Sequence, residues 1–136
     1  MAKSRRDAVR DRAHDICEHC RLPQWCTALP HEIDHIRAQK HHGLTTLQNT
    51  CWACAYCNNS KGPNASGYDN HTGRLVRLFN PRRDRWTDHF AWRGPQLIGK
   101  TPVARATIDV LGINGQERVE HRRMLIKLSV VPPTLE

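Results

Sequence analysis

Residues 30–62 read PHEIDHIRAQKHHGLTTLQNTCWACAYCNNSKG, and this stretch decides how the rest of the chain is read. His31 to Ile36 alternates as a strand does, with His31, Ile33 and His35 on one face and Glu32, Asp34 and Ile36 on the other. Asp34 and His35 therefore face opposite ways unless the strand ends or bends beside them, so an irregular loop is required next. Arg37 to Thr46 supplies it, with Gly43 at a turn. Leu47 to Ala53 returns as a second strand, and Ala55 to about Lys61 reads as a short helix stopped by Gly62 and Pro63.

Working outward, the pair Cys54 and Cys57 opens that helix, and an earlier pair, Cys17 and Cys20, precedes the first strand with 33 residues between Cys20 and Cys54. Two such pairs match the ligand set of one tetrahedral zinc, and a set of four sulfurs leaves no open position, so the metal is structural. A single CxxC in a βαβ context would favour thiol–disulfide chemistry, but two pairs flanking a hairpin do not supply that context. Cys26 and Cys51 are left over and read as small buried hydrophobes, with a second metal site or a disulfide between them unsupported.

The chain has 136 residues and a formal charge of +8. One domain is expected, with a core over about residues 15–66 and a C-terminal extension over about 67–136. A four-thiolate zinc carries about −2 overall, which leaves a basic balance suited to a polyanion. Nucleic acid is the leading partner and an anionic membrane surface the weaker one. No apolar run is long enough to span a bilayer, and the N-terminal MAKSRRDAVRDRAHD lacks the apolar centre of a secretory signal. A cytoplasmic protein with reduced thiols is expected.

The N-terminal residues 3–15 form a basic amphipathic helix that either contacts phosphate or packs beside the metal knuckle. Beyond the helix at 55–61, Gly67 to Gly73 is a turn, Leu75 to Phe79 a strand, and His89 to Trp92 pairs with Gln96 to Lys100 as a hairpin. Thr101 and Pro102 begin a helix to about Leu111, and a last helix from about Gln116 to Leu128 turns Val119, Met124, Leu125 and Leu128 to the core. The fold class is α+β. Trp86 and Trp92 punctuate these elements and read as core side chains.

The central segment resembles the HNH family of nucleases, whose core is two strands and a helix around one divalent metal and whose zinc-bearing members show CxxC, DHI, N and CxxCNxxKG. Those positions here are Cys17 and Cys20; Asp34, His35 and Ile36; Asn49; then Cys54, Cys57, Asn58, Lys61 and Gly62. His42 stands where the family commonly has a second glycine, and Thr50 where leucine usually follows the asparagine. Three later pieces, LFNPRRDRW (78–86), HFAW (89–92) and IGKTPVARATIDVL (98–111), followed by Ile113 and Asn114, resemble the C-terminal extension of a bacterial branch.

The resemblance implies an endonuclease that hydrolyses phosphodiester bonds of DNA, with RNA also open, using one divalent ion. His35 is then the general base, and Asp34 and Asn58 hold Mg²⁺ or Mn²⁺ through oxygen, an apt ligand set for a hard cation. Asn49 braces the loop that carries the histidine. Lys61 either binds phosphate or solvates its helix. Among the basic residues, Arg82, Arg83 and Arg85 are candidates to track the phosphate backbone. No small-molecule cofactor is implied. The rival reading is a zinc-stabilised nucleic-acid-binding module without cleavage.

Overall fold

The computed structural model describes residues 3–130, so the last six positions of the expected extension lie outside the described residues. Helix α1 spans Arg5–Arg12, capped by the Ser4 hydroxyl, which accepts from the Asp7 amide at 3.1 Å. Asp7 in its first turn and Arg10 and Arg12 in its last complement the helix dipole. Val9 and Ala13 on its inner face bury against Trp52, with Ile33 alongside. The basic face serves the fold: Arg12 donates to the Leu47 and Thr50 carbonyls at 2.8 and 2.7 Å, Arg5 donates to the Thr45 carbonyl, and Arg6 pairs with Glu32. Of the two roles open to this helix, packing is the one its basic side chains serve here, since they bond to the protein itself.

Strands β1 (Glu32–His35) and β2 (Thr50–Ala53) form an antiparallel hairpin in which Asp34 lies opposite Cys51 and His35 opposite Thr50. The return strand is shorter than expected, because Leu47–Asn49 is a 3₁₀ turn. The Thr46 hydroxyl caps that turn by accepting from the Asn49 amide at 3.2 Å. In the connecting loop, a Cβ on Gly43 would lie 1.7 Å from the Arg37 carbonyl oxygen, so the tight return there needs glycine. His42, where the family commonly has glycine, takes a left-handed conformation, φ 68°.

Helix α2 (Ala55–Lys61) follows directly, and Gly62 ends it at φ 52°. Strand β3 (Ser66–Tyr68) pairs with β4 (Leu75–Arg77), where the sequence suggested only a turn before the latter. Gly67 makes this possible: a Cβ there would stand 2.4 Å from the Val110 side chain. Helix α3 (Trp86–His89) leads into the hairpin of β5 (Phe90–Arg93) and β6 (Gln96–Gly99). Helix α4 (Pro102–Val110) is capped by Thr101, as its Thr-Pro start requires, and α5 (Gln116–Lys127) closes the described fold.

On α5 the inward face differs from the expected one. Val119 is buried and Leu125 half-buried, but Met124 and Leu128 are 61% and 67% exposed, and Arg122 is buried in their stead. Its guanidinium donates to the Pro95 and Ile113 carbonyls at 2.7 and 2.8 Å and stacks on Trp92, so the charged end is satisfied inside.

Three two-stranded hairpins provide little stability alone, and here they share one core. Cys17, Cys20, Cys54 and Cys57 sit in it together with Leu78, Phe79, Trp86, Phe90, Leu97, Leu111 and Ile113. Trp86 and Trp92 stack within this region, as expected of core aromatics, and the Trp86 indole donates to the His19 carbonyl at 2.9 Å. The extension thus pins the turn between the first two cysteines.

Candidate metal centre and active site

The turn at Cys17–Cys20 and the N-terminus of α2 bring four sulfurs within 4.8 Å of one another, all buried. The Cys20 and Cys54 sulfurs lie 3.7 Å apart. A tetrahedron with Zn–S bonds of about 2.3 Å has edges of about 3.8 Å, so this separation fits one zinc. In each pair the amide of the second cysteine points at the sulfur of the first, Cys20 to Cys17 at 3.5 Å and Cys57 to Cys54 at 3.4 Å. These contacts orient the sulfurs as thiolate acceptors, and Cys54 thereby caps α2.

Charge is balanced from outside the cluster by Arg118, whose Nη2 is 3.0 Å from the Cys57 sulfur. Burial works against its charge, yet the Cys57, Cys20 and Cys54 sulfurs raise its pKa well above the ordinary arginine value. The sulfurs themselves resist full ionisation without a cation. Burial pushes the Cys17 and Cys57 thiols up, while hydrogen bonds from Cys17, Cys54 and Cys57 pull Cys20 down. A bound cation is what would ionise the buried thiols.

Asp34 ends the inner row of β1 and is 3% exposed. Its Oδ1 accepts from the Lys61 ammonium at 2.9 Å, and its Oδ2 lies 2.9 Å from His19 Nε2 and 3.4 Å from the Cys51 sulfur. Burial opposes ionisation of the carboxyl, but the contacts with His19 and Lys61 outweigh it and hold the pKa below the usual value. The result is a buried anion lining a cleft of about 420 Å³, together with His19, Lys61, Arg37, His41 and Arg77.

His35 faces the other way, as alternation demands. Its Nε2 is 2.8 Å from the Thr45 hydroxyl, and its backbone carbonyl accepts from Lys61 at 2.9 Å. Asn49 clamps the loop between: its Oδ1 accepts from the Arg37 amide at 2.8 Å, and its Nδ2 donates to the Arg37 and Leu44 carbonyls at 3.0 and 2.8 Å.

Asn58 is half-buried on α2, one turn in from the cap, and its amide already donates to the Cys54 carbonyl at 2.9 Å. At 3% exposure Lys61 is an internal partner of Asp34 and not a solvated helix end. Arg82 is likewise occupied, paired with Glu18, whose other oxygen accepts from the Trp52 amide at 2.8 Å. Arg83 and Arg85 are exposed.

His19, Thr45 and Cys51 escaped the sequence reading. His19 sits between two metal-ligand candidates and points away from them, a placement that the spacing Cys-Glu-His-Cys carries but does not announce. Cys51 was read as a hydrophobe, and it is buried, but its sulfur touches Asp34 and lies 3.5 Å from His19. It forms no disulfide with Cys26; both are free thiols.

A hairpin, a helix capped by a sulfur of the four-cysteine cluster, and a buried carboxylate beside a strand-end histidine make up a ββα unit. Residues 17–64 match the family model described as HNH endonuclease, and that span holds every one of these groups. The chain is also similar to the Septu protein PtuB of Bacillus thuringiensis, 28% identical over 112 residues that make up 81% of this chain and 40% of that protein. It therefore spans less than half the length of this relative. No solved structure matches. Among the described residues, no helix is long and apolar enough to cross a membrane.

Proposed function

We propose that the chain is a metal-dependent endonuclease of HNH type that hydrolyses phosphodiester bonds of DNA, working as one domain in the cytoplasm, where its thiols stay reduced. The observation that carries this reading is the strand end at Asp34 and His35: a buried ionised carboxylate lines a cleft while the adjacent imidazole is steered by a hydroxyl. Asp34 and Asn58 would hold a hard divalent cation through oxygen, the ion taking the place of the Lys61 ammonium on Asp34 Oδ1. When bound, Mg²⁺ or Mn²⁺ supplies positive charge that stabilises the phosphoryl group and the departing oxygen.

The residues supply the rest. In the tautomer whose Nε2–H donates to Thr45 Oγ1, the His35 lone pair is on Nδ1 and would take a proton from the attacking water. Asn49 keeps the loop that carries Thr45 folded against β1 through its three bonds to Arg37 and Leu44. Lys61 fixes the strand end by gripping both Asp34 and the His35 carbonyl. The four-cysteine cluster, holding zinc, joins α2 to the first knuckle. Arg83 and Arg85 are the exposed candidates for phosphate contact.

One observation favours the rival, a binding module without cleavage: Lys61 already places a cation on Asp34 Oδ1. Nicking of supercoiled plasmid by the zinc-loaded protein decides between them. Product that requires added Mg²⁺ or Mn²⁺ supports the nuclease, and intact plasmid under conditions of demonstrated DNA binding supports the module.

A further inference from the structure

Around the strand-end carboxylate three side chains of different chemistry converge, and the proposed reaction uses only one of them, Asp34. His19 Nε2, Asp34 Oδ2 and Cys51 Sγ form a triangle with sides of 2.9 Å (N to O), 3.4 Å (S to O) and 3.5 Å (N to S). All three residues are buried, and the three ligand atoms lie within the span that one cation can bridge.

We propose that His19, Asp34 and Cys51 form a second, soft-metal site, able to take Zn²⁺ or Co²⁺ through one nitrogen, one oxygen and one sulfur. Zinc bonds of about 2.0–2.3 Å to such atoms at tetrahedral angles give N–O, N–S and O–S edges of about 3.4, 3.6 and 3.6 Å. The two edges to sulfur already agree to about 0.2 Å, and only the His19–Asp34 contact must open, by about 0.5 Å. The mixed N/O/S set selects a borderline-soft ion over magnesium, because a thiolate is a poor ligand for a hard cation.

Three features of the surroundings support the assignment. Lys61 binds the other carboxylate oxygen, Oδ1, which leaves Oδ2 to the triangle. His19 presents one ring nitrogen, Nε2, to both Asp34 Oδ2 and Cys51 Sγ. Both His19 and Asp34 line the cleft of about 420 Å³, which gives an ion a route to them, with Cys51 behind. The site is separate from the four-cysteine cluster, although His19 lies in the same turn as Cys17 and Cys20. It draws on the carboxylate that would also hold magnesium, so the two ions compete for Asp34, and the site does not depend on cleavage.

The test is a Co²⁺ titration of the full chain already loaded with one zinc, in the absence of DNA and magnesium. The expected result is one cobalt bound per chain, with visible bands of a four-coordinate ion and a thiolate-to-cobalt charge-transfer band. The charge-transfer band should vanish in Cys51→Ser and in Cys51→Ala, and the visible bands should weaken at least tenfold in His19→Phe, with zinc content showing that each variant keeps its cluster. Absence of any cobalt absorption in the parent protein overturns the proposal. So do bands that persist unchanged in the cysteine variants, since these come from cobalt displacing zinc. Because no cleavage is read, failure here leaves the nuclease reading untouched, and failure of cleavage leaves this one standing.

Discussion

The Lys61 ammonium lies 2.9 Å from Asp34 Oδ1 with both side chains buried, which makes the last residue of α2 the internal counter-charge of the strand end. Removing one partner of such a pair leaves a buried charge uncompensated. Lys61→Met should therefore destabilise the fold by about 3 kcal/mol. Denaturant unfolding of the zinc-loaded protein measures this, and an unchanged midpoint would show that His19 alone suffices to hold the carboxylate.

Metal removal should unfold the domain. The four cysteines form part of the main core, and binding energy at a closed site of this kind is largely folding energy. A strong zinc chelator is expected to abolish the near-ultraviolet circular dichroism of the buried Trp52 and Trp86. A metal-free protein that melts cooperatively at the same temperature would contradict this.

Trp86 reaches from the extension to the His19 carbonyl. Trp86→Phe keeps most of the apolar ring but orphans that buried carbonyl, at a cost of about 1–3 kcal/mol. The variant should also release zinc faster to a competing chelator, because the turn between Cys17 and Cys20 loses its brace. Equal release rates for parent and variant would confine Trp86 to packing.

Asp69 is gripped by Arg105 through two hydrogen bonds of 2.8 and 3.1 Å, and that contact holds its carboxyl well below the usual carboxylate range. A depressed folded pKa contributes stability that is present above the unfolded value of about 3.9 and lost as pH falls through the folded value. Asp69→Asn should be less stable at neutral pH, and the gap to the parent should narrow on acidification below about pH 4. A gap that stays constant down to about pH 2 would remove Asp69 from the acid response.

Arginine substitutions should separate nucleic-acid contact from folding. Arg83→Ala with Arg85→Ala should weaken DNA binding and lower the slope of log K against log salt by about 2, with melting unaffected. Arg82→Ala should instead lower the melting temperature, because Arg82 neutralises Glu18 next to the Trp52 backbone. If Arg82→Ala alone reduces the salt slope and melts normally, the assignment of these three residues is reversed.

The features legible in the sequence are those written locally. Two CxxC pairs, the alternation ending at His35, the Gly62–Pro63 stop and the Thr101–Pro102 start each depend on neighbours a few residues away, and each element stands close to its expected bounds. What stayed hidden depends on distant partners. Ser66–Tyr68 is a strand because α4 presses on Gly67, and Arg122 is buried because two carbonyls and Trp92 receive it. Lys61 looks like a solvated helix end until the buried charge of Asp34 is known. His19 and Cys51 lie 32 positions apart: the pairing of β1 with β2 sets Cys51 opposite Asp34, and the Glu18 amide bonded to the Trp52 carbonyl holds the turn that carries His19 against β2.

The deciding measurement is plasmid nicking by the zinc-loaded protein and by His35→Ala, with DNA binding measured alongside. The parent should give metal-dependent nicked product, and His35→Ala should lose at least about a hundredfold with binding retained, in keeping with roughly 10²–10⁴-fold for general-base catalysis. Equal cleavage by His35→Ala would contradict a role for this histidine as the base.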